Sequence, residues 1–102
     1  MKFNILIIDD EKNIREGLAA SLELEGYNPV LAKDGKEGLV LISRGDIDLV
    51  ITDLRMPQVS GAEVLAKVSS ESPGLPVIVL TGHGSIDSAV DAMRNGAYDF
   101  LT

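Results

Sequence analysis

Five short apolar runs punctuate the chain, at residues 3–8, 29–32, 48–52, 76–80 and 98–101, and longer stretches with apolar residues at helical spacing separate them. A strand turns alternate side chains to one face, whereas a helix repeats its buried face about every 3.6 residues. Alternation of the two patterns is the mark of βα units wound around a parallel sheet. Runs 3–8, 48–52 and 76–80 are nearly continuous in Ile, Leu and Val, which predicts central strands covered by helices on both faces. Run 29–32 is shorter and begins at Pro29, which has no amide to donate and suits an edge strand.

The intervening segments carry helix punctuation. A first helix is predicted over 12–25, burying Ile14, Leu18 and Leu22 and stopping at Gly26. Asp34 can cap a second helix, with Leu39 and Ile42 inward and Gly45 as its end. Ser60 and Glu63 have capping-box spacing and open a third, with Val64, Leu65 and Val68 inward. Ser85 can cap a fourth, whose buried stripe is Ile86, Ala89, Val90 and Met93 and whose end is Gly96. No internal repeat, linker or low-complexity segment interrupts this order.

Right-handed crossovers between parallel strands give an α/β fold, a doubly wound five-stranded parallel sheet of flavodoxin-like order 2-1-3-4-5. In such sheets ligands sit beyond the carboxyl ends of the strands, where the winding reverses between strands 1 and 3. Strand 1 runs directly into Asp9, Asp10 and Glu11, and strand 3 runs into Asp53. Carboxylates gathered there repel one another unless a cation joins them or a proton neutralises one. Magnesium suits an all-oxygen site that keeps waters and accepts a phosphate oxygen, with calcium as the second candidate. Taken separately, Asp9 to Glu11 could merely favour a helix N-terminus, and Asp53 could be a turn residue.

Composition narrows the chemistry. The chain of 102 residues suits one domain, and 45% apolar content excludes a disordered or fibrous one. With no cysteine, disulfides and thiolate metal sites are excluded. A formal net charge of -7 disfavours direct binding to nucleic acid or to anionic membrane, both of which require neutralised phosphates. No apolar run is long enough to span a bilayer, and the first residues lack a secretory signal, so the cytoplasm is the expected compartment.

Strand 4 leads to Thr81, Gly82, His83 and Gly84 at the same predicted edge. A threonine hydroxyl can bond a phosphate oxygen, and glycine lets a backbone amide approach closely. Thr81 could equally bond its own backbone, His83 could be an ordinary loop residue, and Phe100 a core residue of strand 5.

Together these residues resemble the receiver family of bacterial two-component response regulators over the whole chain. Ile7-Ile8-Asp9-Asp10-Glu11 is similar to that family's acidic pair, and Asp53-Leu54-Arg55-Met56-Pro57 with Gly61 to its phosphorylation loop. Leu80-Thr81-Gly82-His83-Gly84 and Gly96-Ala97-Tyr98-Asp99-Phe100-Leu101 are similar to its later strand ends, in wording most like the nitrogen-regulation type. The resemblance implies that Asp53 accepts a phosphoryl group from a sensor histidine kinase. It implies Mg2+ held by Asp10, Asp53 and the backbone carbonyl of Arg55, with Asp9 acting through water. It also implies phosphate contacts from Thr81 and the Gly82 amide, and a switch in which Phe100 turns inward. The partners implied are the kinase and a covalently attached output module, with ATPase and DNA-binding parts; the oligomeric state, monomer or homodimer, is left open.

The family has a lysine three residues beyond the switch aromatic and a fifth helix after it; the chain stops at Thr102, before both. Residues 1–102 are therefore expected to be a receiver domain cut after strand 5, with apolar surface exposed near strands 1 and 5. Arg55 and His83, each two residues beyond a site residue, are expected to flank the phosphoryl group and tune its lifetime. Two rival functions stand beside this one. A magnesium-dependent phosphohydrolase would often place a second Asp where Arg55 stands. A non-phosphorylated interaction domain would have no need to keep Asp9, Asp10, Asp53 and Thr81 together.

Overall fold

The apolar runs do form strands. In the computed structural model, which describes residues 2–54, 56, 58–80, 93–94 and 96–101, the elements are β1 (Asn4–Ile8), α1 (Lys12–Leu24), β2 (Asn28–Ala32), α2 (Gly35–Ile42), β3 (Leu49–Thr52), α3 (Gly61–Glu71), β4 (Val77–Leu80) and β5 (Asp99–Leu101). All adjacent strands pair in parallel, in the order β2-β1-β3-β4-β5. The predicted topology and the edge position of the Pro29 strand are both realised. The predicted fourth helix falls mostly outside the described residues. Of its named positions Met93 is 49% exposed rather than inward, lying one turn before Gly96, whose amide bonds the Met93 carbonyl.

Alternation along the strands divides the apolar side chains between two faces. Leu6, Ile8, Val50, Val77 and Val79 pack with Val64, Leu65 and Val68 of α3 and with Leu39 and Ile42 of α2 into the main core. Buried Gly38 of α2 lets that helix lie against Ile8, because a Cβ there would overlap the Ile8 side chain. The caps form as the sequence suggests. Asp34 accepts the Glu37 amide at 2.8 Å, and the Ser60 hydroxyl accepts the Glu63 amide at 3.2 Å.

The other face is less covered than predicted. There α1 packs against β1 and β2, and no residue of the helix is fully buried. Leu18 and Leu22 are half-buried, but Ile14 is 44% exposed. Its turn leaves directly from the acidic residues 9–11, which offer no apolar partner. On the same face Leu49, Ile51 and Ile78 are only half-buried, so β3 and β4 are covered fully on one side. Phe3, Ile5, Leu22, Tyr27, Leu49, Ile51 and Ile78 line an apolar groove of about 420 Å³. The sequence predicts apolar exposure near strands 1 and 5; the groove runs along β1, β3 and β4, and Leu101 of β5 is 45% exposed as well.

Candidate functional site

The register of the sheet sets the site. Ile8 of β1 is opposite Thr52 of β3, so the next residues, Asp9 and Asp53, leave the sheet at the same level. The Asp53 amide donates to the Ile8 carbonyl at 3.0 Å, and the Asp9 amide donates to the Ala32 carbonyl at 3.2 Å. Both acids are therefore anchored by the last ladder bonds of their strands. As a result Asp9, Asp10 and Asp53 each offer a carboxylate oxygen, and the three oxygens lie within 4.8 Å of one another. The adjacency expected from the topology is met.

Their surroundings differ. Asp9 is 5% exposed, Asp53 is half-buried and Asp10 is open to solvent. Burial raises the Asp9 carboxyl above its ordinary 3.8; the Glu11 amide opposes the rise, and the charges of Asp53, Asp10 and Glu11 add to it. That amide donates to Asp9 Oδ1 at 2.9 Å. Two unit charges at this spacing repel by about 3–4 kcal/mol at an effective dielectric near 20, before the screening that solvent gives Asp10. No side chain caps α1 at Glu11, and its first turn carries no acid. Helix capping thus does not account for the acidic cluster.

Asp53 is held from several sides. Its Oδ1 accepts the Leu54 amide at 2.7 Å, and its carbonyl accepts the hydroxyl of fully buried Thr52 at 2.9 Å. Gly61 at the start of α3 lies against the Asp53–Leu54 backbone, its amide bonding the Leu54 carbonyl at 2.9 Å. Two partners were missed in the sequence. Thr52 reads there only as a strand residue, and Arg15 only as a polar position on α1. The Arg15 guanidinium donates through Nη1 to the Asp9 carbonyl at 2.9 Å. Side chains on helices lean toward the N-terminus, which was the available signal.

Arg55, Thr81, Gly82 and His83 lie outside the described residues. Phe100 is in β5, opposite Val79. Oxygen donors alone, converging from two strand ends around a buried acid whose charge is penalised, fit a hard divalent cation.

A doubly wound parallel sheet with three carboxylates at its β1/β3 edge defines a class of α/β domains that bind cations and phosphates at the switch in winding. Within that class the chain belongs to the response regulator receiver domain family, whose model matches residues 5–102. The transcriptional regulatory protein GlrR of Escherichia coli K12 is 43% identical over 99 residues, covering 97% of this chain and 22% of that protein. A putative NtrX-like response regulator of Rickettsia typhi is 39% identical over 102 residues, covering 98% of this chain and 22% of that protein. The chain thus spans about a fifth of the length of these curated relatives. A crystal structure of a Burkholderia pseudomallei response regulator, with a phosphorylated aspartic acid, a calcium ion and citrate, superposes with a TM-score of 0.90. It is 33% identical and covers 98% of this chain and 59% of that one. The likeness to regulators of the nitrogen-regulation type, read from the motifs, is matched by the NtrX-like relative. Membership makes the domain a phosphoryl-accepting signalling switch.

Proposed function

We propose that Asp53 is the phosphoacceptor of this switch and that Mg2+ is its cofactor, held by Asp10 and Asp53, by Asp9 through water and by the Arg55 carbonyl. The observation that carries the reading is the meeting of three carboxylate oxygens within 4.8 Å at the end of β1 and β3. Bound there, Mg2+ supplies positive charge that offsets the carboxylates and the phosphoryl oxygens. A carboxylate oxygen of Asp53 attacks the phosphorus of a phosphohistidine on the partner kinase. The new O–P bond makes an acyl phosphate, while the P–N bond breaks and its electron pair leaves with the imidazole. The Leu54 amide and the Thr52 hydroxyl orient Asp53 for this attack, one at the carboxylate and the other at the main chain.

Thr81 and the Gly82 amide then bind the phosphoryl oxygens, Arg55 and His83 govern water access to the acyl phosphate, and Phe100 moves as the switch aromatic. Shifting such an equilibrium from 1:99 to 99:1 takes about 5.5 kcal/mol of differential interaction, within reach of a few charge-assisted hydrogen bonds. The domain is a switch rather than an enzyme acting on free substrates. Residues 1–102 constitute one receiver module, which passes its signal in the cytoplasm to an attached output module with ATPase and DNA-binding parts. That the relatives are named as regulators and are about five times as long as this chain supports an attached output module. Among the described residues no helix is long and apolar enough to cross a membrane.

The test is incubation with acetyl phosphate and Mg2+, followed by intact-mass measurement. One phosphoryl group is expected on the wild type, none on Asp53→Asn and none with EDTA. A phosphoryl gain retained in Asp53→Asn would refute the assignment.

A further inference from the structure

Asp9 is fixed at three points of its own structure. Its amide donates to Ala32, its Oδ1 accepts the Glu11 amide, and its carbonyl accepts Arg15 Nη1 at 2.9 Å. The third contact spans from α1 back over the loop that precedes it. The Asp9 carbonyl and the Asp10 amide belong to one planar unit. Whatever orients that carbonyl therefore orients the plane from which the Asp10 side chain departs. Asp10 is exposed, yet its carboxylate lies with those of Asp9 and Asp53.

We propose that Arg15 is a positioning residue for the cation site. By holding the Asp9 carbonyl it sets the Asp9–Asp10 peptide so that the Asp10 carboxylate stays beside its two partners. This rests on reading the three carboxylates as a divalent-cation site.

Charge and geometry make opposite demands on this residue, which gives the proposal a sign. A guanidinium beside a cation site repels the cation, so if Arg15 acted only through its charge, removing it would tighten binding. If Arg15 acts by positioning, removing it weakens binding despite the lost repulsion. Loss of an outer partner of metal ligands typically costs about 10- to 100-fold in affinity.

The experiment is calorimetric titration of Mg2+ into the metal-free wild type, Arg15→Met and Asp53→Asn. Arg15→Met is expected to bind at least about tenfold more weakly than wild type. Its metal-free thermal midpoint should fall by only about 4–8 °C, the scale of one lost hydrogen bond in a domain of this size. The Asp10 amide resonance should move in the metal-free state, reporting the released peptide. Should Arg15→Met fail to fold, Arg15→Gln, which is shorter and also uncharged, carries the same comparison. Affinity equal to or tighter than a saturable wild type would overturn the role of Arg15 alone. A wild type without saturable binding, or Asp53→Asn binding as wild type does, would overturn the cation-site reading and this inference with it.

Discussion

A Cβ on Gly61 would overlap the carbonyl oxygen of Asp53 and stand 2.8 Å from Cα of Leu54. The first residue of α3 thus closes directly over the backbone that presents the acid at the end of β3. Gly61→Ala has to push this loop away, and overpacking of a buried contact costs about 1–3 kcal/mol. Urea unfolding should show that loss. Phosphorylation by acetyl phosphate should slow as well, since Asp53 moves relative to Asp9.

Asp9 gives the domain a pH signature. Its carboxyl is raised by burial, so the native state holds its proton more tightly than the unfolded chain does. The stability this group contributes is fully present below its ordinary 3.8 and is lost as pH rises through the raised native value. In EDTA, the melting temperature of Asp9→Asn minus that of wild type should therefore grow more positive as pH rises from about 4 to 7. An Asn Oδ1 can still accept the Glu11 amide, which keeps the comparison clean. Adding Mg2+ at pH 7 should stabilise wild type more than Asp9→Asn.

The α2 cap separates fold from site. Asp34 accepts the Glu37 amide at 2.8 Å and is not one of the three clustered acids. Asp34→Ala should cost about 1 kcal/mol in denaturant unfolding. Its Mg2+ affinity should equal that of wild type.

Two leucines on helices should differ sharply. Leu65 is 1% exposed within the main core, whereas Leu24 at the end of α1 is 88% exposed. Chemical denaturation should show Leu65→Ala losing about 2–5 kcal/mol and Leu24→Ala about 0.5 kcal/mol or less.

Much of this was legible in the chain because local chemistry and global topology agree. The apolar runs, the caps at Asp34 and Ser60 and the strand order follow from periodicity and crossover handedness, and these alone bring Asp53 to Asp9. What the pattern could not give depends on particular side-chain placement. Ile14 satisfies the helical stripe yet is exposed, because periodicity reports a face and not what covers it. The bonds of Thr52 to Asp53 and of Arg15 to Asp9 join polar atoms to main-chain carbonyls; the lean of helical side chains shows which way Arg15 points, but no residue pattern marks which carbonyl accepts it. The expected burial of β3 and β4 on both faces misses for a related reason: continuous apolar composition allows a covering layer but does not supply it.

The central claim is that acids from two strand ends share one cation. Titration of 15N-labelled protein with substoichiometric Mn2+, followed by amide line broadening, addresses it directly. The account predicts that Asp9, Asp10 and Asp53 and their immediate neighbours broaden first and together, and that excess Mg2+ restores them. Broadening that begins instead at Asp46 and Asp48, at the opposite edge of the sheet, or that Mg2+ does not reverse, would contradict it.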